Sequence, residues 1–269
     1  MLFDCVMFNN ELDILEARIE YLNEIVDFFV VVEMDITHSG KAKPMNFANN
    51  ISRYRDYLHK IIYIPYSPKV EDYDFTQKPE KTDFNSAHWK VENDHRNRII
   101  MGLRFFTPEN IVLISDVDEI PLKSAVETAA KNLSEQRPAI AFEQEMFYYN
   151  FKQRQVNNWS GTVITTISEL MKIPPQAFRD NRFNLPKITN AGYHLSYWNS
   201  PEKIKEKIES FAHQEYNDEQ YTDIEAIKKK ISDGVDIFGR EENPFVSVDK
   251  QSIDQEFLKV FEKIEKEIM

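Results

Sequence analysis

The chain has 269 residues, 42% hydrophobic and 29% charged, enough to bury the core of one large α/β domain. Its 33 Lys and Arg against 45 Asp and Glu leave a formal charge of −12, which argues against nucleic acid or an anionic membrane surface as a partner, since both reward basic surfaces. The single cysteine, Cys5, excludes an internal disulfide, and no Cys/His spacing suggests structural zinc.

Leu2 to Phe8 reads as a short strand running into Asn9-Asn10-Glu11. Leu12, Leu15, Ile19, Leu22 and Val26 then recur at spacings of three and four, the apolar stripe of a helix of about four turns. Phe28 to Val32 is a continuous apolar run of the kind that forms a strand buried on both faces, and it ends in the polar stretch Glu33 to Gly40. Strand, helix, buried strand and polar loop make a βαβ opening, a layout that binds ligands at the carboxyl ends of its strands. Ile61 to Pro65 is a third strand, 66–85 a surface loop, 86–106 a helix, and Ile111 to Ile114 a fourth strand. A helix is expected over 124–134. After Pro138 the pattern changes to consecutive strands, 139–149, 162–166 and 188–198, with 150–161 as a connection, which predicts a smaller antiparallel or mixed portion. Ser200-Pro201 is a helix start, and helices are expected over 201–213, 222–233 and 252–267. No repeat or linker interrupts the chain, so one domain over 1–269 is expected, its second half, 122–269, completing a site begun in 1–121. The first residues lack a basic n-region, and the longest apolar run falls far short of the roughly 18 residues of a membrane span. The expectation is a soluble, cytoplasmic protein with no signal peptide, anchor or integral membrane span.

The most informative segment is Ser115-Asp116-Val117-Asp118-Glu119-Ile120-Pro121. An apolar strand delivers two carboxylates, spaced i and i+2, to one side of its carboxyl end. Asp116 and Asp118 so placed suit a hard divalent cation, Mn²⁺ first and Mg²⁺ second, which would share its shell with substrate phosphate oxygens. In a nucleotide-sugar transferase such a cation neutralises the departing diphosphate.

Ordered blocks through most of the chain carry a resemblance. They are Asp4-Cys5 with Phe8 to Arg18, Val26-Asp27 through Glu33 to Thr37-His38-Ser39-Gly40-Lys41, Glu92 to Arg96-Asn97, Ser115 to Pro121, Ala191-Gly192-Tyr193-His194-Leu195-Ser196-Tyr197, and Pro201-Glu202-Lys203-Ile204 with Lys207. In these the sequence resembles glycosyltransferase family 17, the family of the bisecting β-1,4-N-acetylglucosaminyltransferase. The resemblance implies a GT-A-type fold, with 1–121 as the nucleotide-sugar-binding half and 122–269 as the acceptor-side half. It further implies an inverting mechanism, a UDP-sugar donor (UDP-GlcNAc first), a glycan acceptor and a divalent metal. Animal members carry a membrane anchor that this sequence lacks, so a bacterial- or viral-type surface glycan is the expected acceptor.

Glu33 and Thr37 stand where a GT-A enzyme holds the nucleoside. Arg96, with Asn97 beside it, suits diphosphate through its bidentate fork, or it pairs with Asp116 or Asp118. His194 is expected near diphosphate or metal. For the base that takes the acceptor proton, Glu145 ranks first and Glu215 second, ahead of Glu143 and Asp223. Tyr148, Tyr149 and Trp198, with Trp159, are candidates for a sugar-stacking acceptor platform, and His213 is a weaker site candidate. Competing readings are a sugar-phosphate nucleotidyltransferase, which commonly carries a Gly-rich basic loop where this chain has Asn9-Asn10-Glu11, and a non-catalytic glycan-binding protein.

Overall fold

The apolar runs of the first half become the parallel part of a mixed sheet in a computed structural model that describes residues 1–240 and 244–268. Strands β1 (Leu2–Phe8), β2 (Phe28–Met34), β3 (Ile61–Tyr66) and β4 (Ile111–Asp116) lie side by side in the order β3-β2-β1-β4, every pairing parallel. Both faces of this portion are covered, as the unbroken runs predict. Val6, Phe8, Phe29 and Val31 pack toward Leu15, Ile19 and Leu22 of the Leu12–Leu22 helix. Phe3, Cys5, Val30 and Val32 alternate to the opposite face against Ile99, Leu103, Val112 and Val163.

The short β5 (Glu119–Pro121) closes the first half, and the second half supplies β6 (Ile140–Tyr148), β7 (Gln153–Gln155), β8 (Trp159–Thr166), β9 (Lys187–Ile188), β10 (Gly192–Ser196) and β11 (Phe245–Ser247). From β4 the sheet continues through β8, β6, β7 and β11 with antiparallel pairings, so both halves share one sheet. β10 runs parallel to β6 and antiparallel to β5. This is the expected α/β architecture, parallel first and mixed second. β5 and β10 approach so closely at Gly192 (φ 151°) that a Cβ there would lie 2.2 Å from the carbonyl oxygen of Ile120, which only glycine avoids.

Several boundaries differ from the sequence reading. The expected 86–106 helix is two helices, Ala87–Asn97 and Ile99–Leu103. The expected 188–198 strand is divided: β9 ends at Ile188, Asn190 turns the chain at φ 51°, and β10 starts at Gly192. A helix over Pro175–Asn181 was not anticipated, although Pro175 at its first position is a recognisable start. The helix after Ser200 begins as expected, the Ser200 hydroxyl accepting from Lys203 N, and ends at Ser210. The last two helices cover Ile224–Asp233 and Gln255–Ile268, the first closed by Gly234 in the left-handed region. Among the described residues no helix is long and apolar enough to cross a membrane.

Candidate active site

The strand order places a topological switch point between β1 and β4, because β1 leads through its helix to β2 on one side and pairs with β4 on the other. Open α/β sheets bind ligands in the crevice at that point, beyond the strands' carboxyl ends. A cavity of ≈ 820 Å³ lies here, lined by Met7, Phe8 and Asn9 from the end of β1 and by Asp116, Val117 and Asp118 from the end of β4.

The turn carrying the two aspartates is fixed from below. Arg18, fully buried, makes a two-pronged pair with Asp4 at 2.7 Å for each nitrogen. Its remaining amino group donates to the carbonyl oxygens of Glu119 (2.6 Å), Val117 (3.3 Å) and Asp116 (3.4 Å). A buried guanidinium thus draws three carbonyl oxygens of the turn onto one amino group. From the far side Leu195 N donates to Asp118 O at 2.8 Å.

Each aspartate then meets cations. Asp116 Oδ1 accepts from Arg96 Nη2 at 2.9 Å and Oδ2 from Arg179 Nη2 at 2.6 Å. Burial favours the neutral acid, but Arg179 and then Arg96 outweigh it and hold the Asp116 carboxyl well below the usual carboxylate range. Asp118 Oδ2 accepts from Lys207 Nζ at 2.8 Å, and Oδ1 lies 3.6 Å from His194 Nε2. There too burial is overcome, by Lys207 and then His194, and the Asp118 carboxyl stays ionised. Glu119, fully buried, takes both Arg179 amino groups and the Trp159 indole N–H, and accepts from the Asp116 backbone N–H at 3.0 Å.

Arg182 breaks this pattern of matched charge. It donates to the carbonyl oxygens of Ser160 (2.7 Å) and Arg179 (2.6 Å), its guanidinium lies over the Phe183 ring at 4.3 Å, and it pairs with no carboxylate among the described residues. Burial, and next the Arg179 charge, pull its pKa down to about 10. A guanidinium on a cavity wall beside a second one is a ready contact for an anion.

Thr37 and His38 also line the cavity, His38 Nδ1 lying 3.6 Å from Glu92, which pairs with Arg96. The His95 Nε2–H donates to the Val32 carbonyl oxygen at 2.9 Å, so its Nδ1 accepts from His38 Nε2–H at 3.1 Å. That chain fixes His38 as an Nδ1 acceptor. Burial, then the nearby Arg96, lower the His38 pKa to about 3, so the ring is neutral.

Residues 1–250 match Glycosyltransferase family 17. The chain belongs to this family. Relatives from Rattus norvegicus and Homo sapiens, each called beta-1,4-mannosyl-glycoprotein 4-beta-N-acetylglucosaminyltransferase, are 26% identical over 129 residues, which are 46% of this chain and 22% of each relative. The match thus spans about a fifth of the curated relatives' length. Among solved structures, the galactosyltransferase LgtC in complex with donor and acceptor sugar analogues is similar at a TM-score of 0.36 and 9% identity, over 80% of this chain and 83% of that one.

Within this family member, the cavity gathers Thr37, Arg96, Asp116, Asp118, His194, Tyr148, Trp159 and His213 of the residues singled out from sequence. The others lie elsewhere. Glu33 is fully buried, its carboxylate spent on Tyr63 Oη (2.7 Å), Phe47 N (3.1 Å) and Lys43 Nζ (3.2 Å), so it braces the loop after β2 rather than facing a nucleoside. Asn97 receives the backbone N–H of Gln176 at 2.9 Å and so anchors the Pro175–Asn181 helix. Glu145 pairs with Arg154 at 3.3 Å away from the cavity lining, and Asp223 caps the Ile224–Asp233 helix. Glu215 stands just behind the lining, bound to His213, which does line it. Tyr149 and Trp198 are core residues: the first donates to Val235 O, and the second packs on Phe151 with ring centroids 4.5 Å apart. Both stand just past the ends of their strands, Tyr149 after β6 with φ 64° and Trp198 after β10, and they turn into two different core clusters.

Sequence reasoning missed Arg179 and Arg182. Their signal was Pro174-Pro175 followed by two arginines three residues apart, which places Arg179 in the last turn of a short helix and Arg182 at its C-cap.

Proposed function

We propose that this chain transfers a sugar, GlcNAc first among candidates, from a UDP-sugar to a glycan hydroxyl with inversion at the anomeric carbon. The observation that carries the reading is the uncompensated Arg182 beside the Arg179–Asp116–Arg96 network, at the switch-point crevice of a glycosyltransferase family 17 member. A nucleoside diphosphate supplies the negative charge that this wall lacks. Its uridine would lie toward Phe8, Asn9, Thr37 and His38, and its diphosphate toward Arg182 and Lys207.

A divalent metal, Mn²⁺ before Mg²⁺, belongs to the same proposal. The donor chemistry fits at Asp118 and His194, a carboxylate and an imidazole 3.6 Å apart on the cavity wall, the imidazole's other nitrogen having no partner among the described residues. Both oxygens of Asp116 are engaged by guanidinium groups, so Asp116 contributes charge and position. Among the described residues no cluster of three or more His, Cys, Asp or Glu makes a full protein cage, so substrate oxygens and water would complete the shell. When bound, the metal would stabilise the negative charge of the departing diphosphate. Lys207, at 2.8 Å from Asp118 on a flexible stem, is the group that must give way to it or share the diphosphate with it.

Isothermal titration of UDP, with and without Mn²⁺, tests the reading on the wild type and on Asp118→Ala. Metal-dependent binding lost in the variant is expected. Absence of UDP binding under every metal condition would remove the donor assignment.

A further inference from the structure

An inverting transfer needs a proton acceptor on the acceptor side, and the carboxylates on the cavity wall are already committed. Asp116 and Asp118 hold cations, Glu92 pairs with Arg96, Asp180 accepts from the Gln176 side-chain amide at 2.7 Å, and Glu11 accepts from the backbone N–H groups of Asn9 and Asn10. His38 is held at both nitrogens, Nε2 by His95 at 3.1 Å and Nδ1 facing Glu92 at 3.6 Å.

His213 differs from all of these. Its Nδ1 lies 2.7 Å from Glu215 Oε1, and the same oxygen accepts from Thr82 Oγ1 at 2.7 Å. The Glu215 side chain is only 6% exposed, and His213, with Thr82 opposite, closes it off from solvent. A carboxylate only accepts, so Nδ1 carries a proton, and in the neutral ring Nε2 is the nitrogen with the free lone pair. Nε2 has no hydrogen-bond partner among the described residues, on a side chain that is 39% exposed and lines the cavity. The segment bearing it follows directly on the Pro201–Ser210 helix whose Lys207 reaches Asp118, so one stretch of chain spans from the aspartates to the imidazole.

The surroundings suit a sugar. The edge of the Trp89 indole meets the imidazole at 4.8 Å, Phe84 packs on Trp89 at 4.8 Å while 65% exposed, and Tyr216 stands 5.9 Å from the imidazole. Apolar ring faces beside a hydrogen-bonding edge are what a pyranose with C–H faces and hydroxyl rims requires. The platform expected from sequence at Tyr149 and Trp198 is thus replaced by rings from the 66–86 connection, the Ala87–Asn97 helix and the segment after Ser210.

We propose that Phe84, Trp89 and Tyr216 wall the acceptor sugar, that His213 Nε2 is the general base of the transfer, and that Glu215 is its positioning residue. The proposal rests on the transfer reading above. The acceptor hydroxyl oxygen forms a bond to the anomeric carbon while the bond from that carbon to the diphosphate oxygen breaks. The bonding pair leaves with the diphosphate, and the hydroxyl proton passes to His213 Nε2 and from there to solvent. Glu215 stays ionised throughout and stabilises the transient imidazolium.

The test follows UDP release from UDP-GlcNAc, with water or chitobiose as acceptor, alongside UDP affinity. His213→Ala should lower turnover by about 100-fold or more while UDP affinity stays within about twofold, and added imidazole should restore part of the loss. Glu215→Gln should lower turnover by about tenfold and gain nothing from imidazole, since the ring is still present. His213→Gln, which keeps a polar side chain of similar reach, should resemble the alanine variant in turnover and the wild type in UDP affinity. Turnover of His213→Ala within about threefold of wild type overturns the base assignment, and so does a loss that imidazole cannot restore or that tracks a loss of UDP affinity. A wild type that releases no UDP from any UDP-sugar overturns the transfer reading and the base with it, an outcome distinct from the others.

Discussion

The floor and the rim of the cavity are built on opposite principles. At the floor, Asp4, Arg18, Arg96, Asp116, Glu119 and Arg179 form a nearly closed lattice of buried charge, each group matched by another within 3 Å. At the rim, Phe84, Trp89, Tyr216 and His213 meet mainly through ring contacts, with Glu215 as the local charge behind them. The difference has an energetic reading. A buried charge lattice tolerates no missing member, whereas a half-exposed aromatic rim can lose a ring and keep its fold. Stability should therefore fall with the floor, and acceptor use with the rim.

The sharpest way to break this contrast is Arg18→Met. It strands the Asp4 carboxylate and three turn carbonyls, and a loss of roughly 3–5 kcal/mol in denaturant unfolding is expected. The exposed pairing of Arg53 with Asp13 and Glu16 provides the counterpart: Arg53→Ala should cost at most about 1 kcal/mol. If both variants cost the same, the floor has no special standing.

Trp159→Phe comes next in size. It removes the indole N–H that Glu119 accepts and leaves that buried carboxylate one donor short. A loss of about 1–3 kcal/mol is expected from thermal or chemical unfolding. Trp89→Phe at the rim should change stability by less and should raise the acceptor KM.

Acid sharpens the comparison further. The Asp116 and Asp118 carboxyls are both held below their unfolded values, so the stability they contribute is complete above the unfolded carboxylate pKa, near about 4, and is lost as pH falls below it. Unfolding free energy of the wild type should decline from about pH 4 downward, and Asp118→Asn should flatten that decline. An unchanged acid limb in the variant would separate Asp118 from the floor's electrostatics. At the small end, Lys229→Ala, on an outward helix face and paired only with Asp233, should alter stability by less than about 0.5 kcal/mol.

The parallel half was legible because its signal is local. Continuous apolar runs, a three-and-four stripe and a strand ending in two aspartates each follow from neighbouring residues, and β1 to β4 form where those runs lie. The floor was half legible: Asp116, Asp118 and Arg96 stand out by spacing or by family block, but Arg179 reaches Asp116 across 63 positions through a helix of seven residues. The rim was scarcely legible. Which face an aromatic takes depends on pairings between distant segments, and Tyr149 and Trp198 turn inward while Phe84 and Trp89 line the cavity. Glu33 misled for a related reason: a carboxylate just past a strand end is as useful for bracing a loop as for holding a ligand.

The division of the cavity into a donor floor and an acceptor rim is tested most directly by comparing UDP affinity in Arg182→Gln and His213→Ala with that of the wild type, by titration at fixed salt and Mn²⁺. Arg182→Gln should weaken UDP binding by about tenfold, the cost of one charge-assisted contact to phosphate, while His213→Ala leaves it unchanged. The reverse result, with UDP affinity indifferent to Arg182 and dependent on His213, would contradict the account by placing the diphosphate at the rim.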